Sequence, residues 1–213
     1  PLVDYKALQE FRERALSPMR PEMRGMAENP DVFFAHRESC NRYYDGVADI
    51  VSDYMKEISK ITGREYRPFN YYGAADAENI IICMGSACEA IREVIDYEAA
   101  KGNKKLGLIN VHLYRPFSLK YLQEALPKSA KRICVLDRTK EPGANGEPLY
   151  LDVKDALDEL GLNNLLVVGG RYGLGSNDTT PAQMLAVFEN LALPQPKNHF
   201  TVGINDDLTF TSL

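Results

Sequence analysis

Four short apolar runs constrain this chain more than anything else in it: Asn79–Met84 (NIIICM), Leu106–Val111 (LGLINV), Arg132–Asp137 (RICVLD) and Asn164–Val168 (NLLVV). Each is nearly continuous in apolar character, whereas a strand with one wet face would alternate. A strand that is apolar on both faces needs a covering layer on each side of its sheet. The intervening segments can supply those layers, because helices are expected over Ala87–Lys101, Leu119–Ala125, Pro148–Leu160 and Pro181–Leu191, joined by short loops. Strand and helix in alternation predict an α/β fold, a doubly wound and mostly parallel sheet.

Upstream of this pattern the chain reads as a helical arm. Tyr5–Leu16 carries Leu8, Phe11 and Ala15 on one stripe and is ended by Pro18 and Pro21; Pro21–Asp31 is rich in turn residues. From Ser39 to Thr62, residues such as Tyr43, Val47, Ile50, Tyr54 and Ile58 recur at helical steps. Gly63 suits the left-handed position that ends such a helix. A stripe of this width needs cover, from the following domain or from a domain outside this chain. The expected division is a helical arm over 1–67 and the α/β domain over 68–213.

Composition excludes whole classes. The chain has 213 residues, 45% hydrophobic and 26% charged, which is ordinary for a globular protein. No apolar run approaches the ~20 residues that span a bilayer, and no basic segment followed by an apolar one marks a signal peptide at the start. A cytoplasmic location is the expectation. Net charge is −5 and the basic residues are scattered, so no concentrated positive face for nucleic acid is expected. The chain starts at Pro1 rather than Met and closes on a polar stretch, which suggests a piece of a longer polypeptide.

Candidate chemistry is sparse. Cys40, Cys83, Cys88 and Cys134 contain no CxxC, so neither a metal site nor an iron–sulfur site made by this chain alone is expected; reduced thiols are. His36, His112 and His199 are far apart, and no nucleophile–base set suggests itself, so no catalytic residue is assigned. Gly85-Ser86 follows the first apolar run and opens a helix. Such a junction can offer free N–H groups to an anion, or Ser86 and Glu89 can form a capping box that satisfies the helix internally. His112 and Arg115 end the second strand and can face the same crevice, which makes Gly85, Ser86 and Arg115 the candidate anion-site residues. Gly169–Ser176 (GGRYGLGS) reads as a loop after a strand, but neither GxGxxG nor GxxxxGK[ST] fits it; a tight loop at a domain contact suits it better than a nucleotide site. The loop from Asp137 to Pro148 lies where open α/β sheets bind ligands, and it reads equally as a surface loop held by its own Asp–Arg pairs.

Longer strings add a resemblance. A strand followed by Gly-Ser, a second ending in Tyr114-Arg115-Pro116-Phe117, and a third ending in Asp137-Arg138 before a Gly-containing loop resemble the C-terminal domain of transketolase-like enzymes. A narrower match covers essentially the whole chain. Asn29–Phe34 (NPDVFF), Cys40–Asp45 (CNRYYD), Val135–Ala144 (VLDRTKEPGA), Gly146–Val153 (GEPLYLDV), Gly169–Ser176 and Lys197–Ile204 (KNHFTVGI) resemble pyruvate:ferredoxin (flavodoxin) oxidoreductase.

That resemblance implies an internal segment of a long enzyme that oxidatively decarboxylates pyruvate to acetyl-CoA. The whole enzyme would use thiamine diphosphate, Mg²⁺, 4Fe–4S clusters and coenzyme A, work as a homodimer, and pass electrons to ferredoxin or flavodoxin. Residues up to about Arg67 would be the tail of its pyrimidine-binding domain, and the rest its transketolase C-terminal-like domain. The CxxCxxCxxxCP signature and the GDG…N motif are absent, so the family's catalytic and cofactor residues map onto no position here. The resemblance therefore implies a structural and dimerising domain, inert alone and binding none of these cofactors itself, with Arg115, Arg138 and Gly169–Ser176 at domain contacts. The alternative is a free-standing module that senses an anion or acyl-CoA at Gly85-Ser86. A third reading, an NAD(P) enzyme, lacks the dinucleotide fingerprint.

Overall fold

The structure, a computed structural model, describes residues 3–23, 25, 27–103, 105–206 and 208–213. Pro1, noted above as the first residue, lies outside the described residues. The chain separates into two compact units, Pro1–Arg42 and Tyr43–Leu213. Among the described residues, no helix is long and apolar enough to cross a membrane.

In the first unit, α1 (Tyr5–Glu13) starts at Asp4, whose carboxylate accepts the N–H groups of Lys6 and Ala7 at 3.0 and 3.1 Å. A second helix, α2 (Pro30–Ser39), was not expected from the sequence. Its Asn29-Pro30 pair looks like turn punctuation, yet proline at the first helical position costs no hydrogen bond and presets the backbone angle. The long helix expected over Ser39–Thr62 is broken. α2 ends at Ser39, a single turn α3 (Asn41–Tyr44) follows, and the chain restarts at Gly46 to form α4 (Val47–Thr62). Glycine in a helix interior is disfavoured by about 1 kcal/mol relative to alanine, so Gly46 is a natural place for the interruption. Gly63 ends α4 in the left-handed conformation, with φ of 70°, as its position foretold.

In the second unit, six strands form one sheet in the order β1-β3-β2-β4-β5-β6. They are β1 (Phe69–Gly73), β2 (Asn79–Cys83), β3 (Leu106–Val111), β4 (Arg132–Asp137), β5 (Leu166–Arg171) and β6 (Phe200–Thr201). β1 is antiparallel to β3, and every other pairing is parallel. The helices between them are α5 (Ala87–Ala100), α6 (Leu119–Ala125), α7 (Pro148–Glu159) and α8 (Pro181–Ala192). Successive strand residues go to opposite faces. Ile81, Cys83, Leu108, Cys134 and Leu136 pack against α5 and α8, while Ile80, Ile82, Ile109, Ile133 and Val135 pack against α6 and α7. The doubly wound, mostly parallel sheet is therefore present. Two strands at its margins, β1 and β6, were not read from the sequence.

β5 corrects a second expectation. It runs to Arg171, so Gly169, Gly170 and Arg171 are strand residues and not the start of a loop. The glycines answer a packing demand. A Cβ on Gly169 would come within 2.9 Å of the Tyr150 ring, and one on Gly170 within 2.3 Å of the buried Phe200 ring. The outer edge of β6 is also occupied: Thr201 N–H donates to the Thr211 carbonyl at 2.9 Å, and Leu213 N–H to the Thr201 carbonyl at 3.0 Å.

α4 belongs to the same unit. Its Asp49 accepts Lys120 Nζ at 2.8 Å and the Tyr121 hydroxyl at 2.6 Å, and Ser59 Oγ accepts Tyr66 N–H at 2.9 Å. Ser52 is its one buried residue, Val47, Val51, Met55 and Ile58 are half-buried, and Ile50 and Tyr54 are more than half exposed. The apolar stripe is thus wider than the surface this unit offers it.

Asp137, at the end of β4, sets where α7 begins. Its two carboxylate oxygens accept the N–H groups of Leu149 and Tyr150 at 2.9 and 3.0 Å. Those are early donors of α7, which Glu147, the residue flanking the helix, does not cap with its own side chain. Burial pushes the Asp137 carboxyl above its ordinary 3.8, and the two N–H groups pull the other way.

Two outcomes are expected. Gly170→Ala should lose about 1–3 kcal/mol in urea unfolding, the usual cost of overpacking a core; an unchanged midpoint would show that Phe200 yields freely. Because the folded Asp137 holds its proton more tightly than the unfolded one, wild type gains on Asp137→Asn as pH falls through the carboxylate range and loses that gain as pH rises above it. Unfolding midpoints of the two chains across that range should diverge in this direction, and the opposite trend would refute the assignment.

Candidate ligand site at the carboxyl edge of the sheet

β2 leads into α5 on one face and its neighbour β4 leads into α7 on the other. Connections that depart to opposite sides leave a crevice at the carboxyl ends of the two strands, where open α/β sheets take ligands. Here the chain fills the crevice with its own groups. Tyr172, just past β5, is 5% exposed. Its hydroxyl donates to the Met84 carbonyl at 3.2 Å and receives the Cys83 thiol at 3.6 Å, while its N–H donates to the Asp137 carbonyl at 3.1 Å. Burial raises the Tyr172 phenol far above its usual range, so it stays a neutral donor. Arg138 Nε donates to the Gly173 carbonyl at 2.9 Å and lies against a glycine in the left-handed conformation, with φ of 65°. Tyr172, Arg138 and Asp137 are thus all engaged within the chain at this edge. No motif marks Tyr172 as a plug, and Asp137 and Arg138 do not pair as a self-held surface loop would have required.

Beside the crevice lies a buried ion pair that sequence reading also missed. Glu147 is 2% exposed and Arg171 7%. Arg171 Nη1 is 3.3 Å from Glu147 Oε1, its Nη2 donates to the His199 carbonyl at 2.6 Å, and Lys140 Nζ stands 3.9 Å from Glu147. The pair ties the loop before α7 to the end of β5.

The three candidate anion-site residues do not converge. Gly85 takes a positive φ of 79° and Ser86 follows it on the α5 face of the sheet. Arg115, after β3, donates from Nη2 to Asp152 of α7 at 2.8 Å, and its guanidinium lies 4.0 Å from the centre of the Tyr114 ring. Because α5 and α7 cover opposite faces, Arg115 is committed to the far side. The capping box suggested for Ser86 and Glu89 does not form. Ser86 already has helical angles (φ −66°, ψ −24°), from which its hydroxyl makes no cap bond, and Glu89 pairs with Arg92 at 3.4 Å instead. Thr180 shows the contrast: it is extended, and with Gln183 it makes a complete capping box at the start of α8. His112 plays the structural part, its Nδ1–H donating to the Arg67 carbonyl at 3.0 Å.

A second concavity of about 460 Å³ lies between α4, β1 and α6. Its cations are matched locally: Lys56 by Asp53 at 2.8 Å, Lys120 by Asp49 at 2.8 Å, and Arg67 by Glu65. The residues also do not fit an iron–sulfur cluster, which needs converging thiolates. Among the described residues no group of three or more His, Cys, Asp or Glu side chains could hold a metal ion, and burial holds the Cys134 thiol well above its ordinary range.

Residues 77–184 match the family model for pyruvate:ferredoxin oxidoreductase core domain II. A pyruvate:ferredoxin oxidoreductase from Moorella thermoacetica is 55% identical over 212 residues, and a pyruvate-flavodoxin oxidoreductase from Enterobacter agglomerans 53% identical over 212. Each alignment covers 100% of this chain and 18% of the relative. A pyruvate dehydrogenase (NADP+) from Cryptosporidium parvum is 50% identical over 211 residues, 98% of this chain and 11% of that one. The chain thus spans less than a fifth of the length of the curated relatives it matches. With a family model over half its length and such identities from end to end, the chain belongs to the pyruvate:ferredoxin oxidoreductase core domain II family.

Proposed function

We propose that this chain serves as a structural domain of a thiamine-diphosphate-dependent pyruvate:ferredoxin or pyruvate-flavodoxin oxidoreductase. The whole enzyme would convert pyruvate and coenzyme A to acetyl-CoA in the cytoplasm, as a homodimer that passes electrons on through iron–sulfur clusters. This segment would hold neighbouring domains and the dimer in place and contribute no catalytic residue. The observation that carries the reading is the crevice closed by Tyr172, Arg138 and Asp137, since the position that open α/β enzymes use for ligands is taken by the chain itself.

The relatives support the same reading from another side. Their names give ferredoxin, flavodoxin and NADP+ as acceptors, at 50–55% identity over this segment. A segment so similar across three acceptors suits a task common to all of them. In this reading residues 1–67 are the tail of the pyrimidine-binding domain with its connection, and 68–213 the transketolase C-terminal-like domain. α4, at the end of that connection, is already packed with the α/β unit. Arg115, Arg138 and the exposed turn at Leu174–Ser176 would face neighbouring domains.

A free-standing module that senses an anion or acyl-CoA is the second reading, favoured by the uncapped Ser86 turn. An antibody raised against this chain separates the two. On source-cell lysate it should reveal a band roughly five times heavier than 23.9 kDa, as the 18% share of the relatives implies; a band near 23.9 kDa would overturn the structural-domain reading. The isolated chain, supplied with thiamine diphosphate, Mg²⁺, pyruvate and coenzyme A, should release no labelled CO₂ above a protein-free blank. Catalytic release would place chemistry in this segment after all.

A further inference from the structure

The sheet has two margins, and the chain treats them differently. At β6 the closing segment pairs with the last strand, through Thr201 N–H to the Thr211 carbonyl and Leu213 N–H to the Thr201 carbonyl. At the other end of the strand order, β1 has β3 on one side and, among the described residues, no strand on the other. Exposed strand edges are usually blunted by lysine, proline, a bulge or a covering segment, because bare N–H and C=O groups invite another strand. β1 (FNYYG) contains no lysine or proline, and its residues pair with β3 without interruption.

Which backbone groups stand free follows from the register. Ala74 N–H donates to the Leu106 carbonyl at 3.1 Å, and His112 N–H to the Pro68 carbonyl at 3.0 Å. Alternate residues of an antiparallel pair bond to the neighbour, so Asn70 and Tyr72, in step with Pro68 and Ala74, turn their N–H and C=O groups to β3. Phe69, Tyr71 and Gly73 turn theirs outward, and no turn, loop or side-chain acceptor among the described residues takes up their N–H groups. Space flanks this edge on both faces. A cavity of about 460 Å³ lies between β1, α4 and α6, and one of about 520 Å³ lies between β1 and α5, lined by Tyr72, Ala74, Ile95 and Ala99. An added strand needs such room, since its side chains go alternately to either face. α4, whose Ile50 and Tyr54 remain more than half exposed, borders the same margin through Ser52 and Lys56.

We infer that the open edge of β1 docks the β1 of a second copy of this chain, the two sheets joining antiparallel across a twofold axis. Self-complementarity picks out this occupant. With Tyr71 opposite the partner's Tyr71, outward-facing residues meet outward-facing ones, Phe69 opposing the partner's Gly73 and Gly73 the partner's Phe69. Tyr71 packs on the α6 face, so the two rings come together there as an aromatic cross-strand pair. The charges agree. Arg67 precedes β1 and Asp76 lies in the turn after it, so antiparallel pairing carries Arg67 of each copy toward the partner's Asp76, twice by symmetry. Parallel pairing would instead set like charges together. The two side chains are 62% and 66% exposed and hold only surface partners, Glu65 and Lys105. The inference deepens the dimerising role proposed above by naming a contact for it. That role is tested by the size of the native polypeptide, so either can fail without the other.

The test is sedimentation equilibrium and amide hydrogen exchange on the 213-residue chain at rising concentration. The mass should climb from 23.9 kDa toward twice that value. In step with it the Tyr71 amide should become protected, whereas the Tyr72 amide, turned to β3, should be protected at every concentration. Arg67→Asp should weaken the dimer about tenfold, because two exposed contacts turn repulsive, and adding Asp76→Arg should restore it. Both side chains are mostly exposed, so these variants should keep the wild-type urea midpoint. A chain monomeric at every concentration would overturn the inference and leave the edge to another domain of a longer polypeptide. A dimer whose Tyr71 amide exchanges as freely as in the monomer would overturn it too, as would one that the single charge reversal weakens no more than the paired one.

Discussion

Everything in the α/β unit depends on central strands that are apolar on both faces. In β2 the consecutive residues Ile80, Ile81, Ile82 and Cys83 alternate between two separate hydrophobic clusters, and β3 and β4 do the same. No single layer can dry both faces, so the connections must cross on one side and then on the other. That requirement places α5 and α8 on one face and α6 and α7 on the opposite one. It also produces the reversal between β2 and β4, and hence the crevice that Tyr172 occupies. The site is thus a consequence of hydrophobic burial before any polar residue is considered.

Local signals were legible where the cause is local. The apolar runs located β3 and β4 to the residue and β2 to within one, and the Thr180-Pro181 start and Gly63 stop mark real helix ends. The failures have non-local causes. Gly169 and Gly170 look like loop residues, but they sit in β5 because the rings of Tyr150 and Phe200, distant in sequence, need the room. β1 (FNYYG) carries an asparagine and ends in glycine, so its pairing with β3 is set by the sheet and not by its own propensity. Ser86 fits a capping box by spacing alone, while its backbone angles forbid one. The same holds for the site. Gly85-Ser86 could be read as a turn into a helix, but the plugging of the crevice by Tyr172 and the buried Glu147–Arg171 pair emerge only from the packing of separate strands.

The polar interior shows how the carboxyl edge is held. Asp137 joins β4 to α7, Glu147 and Arg171 join the loop before α7 to β5, and Arg138 joins β4 to the Gly173 turn. Each link crosses between elements, and none leaves a free acid–base pair. Removing one member of a buried ion pair commonly costs 3–5 kcal/mol because the other is left charged and unpaired. The edge is built for rigidity, which suits a part that positions other domains. Among the described residues, Asn110 Oδ1, Arg92 Nε and Arg171 Nε are buried without a partner.

The hydrogen bonds from residues 211–213 to β6 bear on how the domain can be dissected. β6 has two residues, and beyond it the sheet would end in bare backbone groups. The closing segment covers them, steadied by Asp206, which accepts the Leu208 and Thr209 N–H groups at 3.0 Å each, and by Lys197, which donates to the carbonyls of Phe210 and Ser212 at 3.2 and 2.7 Å. Such a margin, once uncovered, is a template on which another molecule can add a strand. A version trimmed before Thr211 would keep its whole hydrophobic core and still tend to aggregate edge to edge. The solubility of an excised piece therefore rests on a few peripheral residues that add almost nothing to its interior.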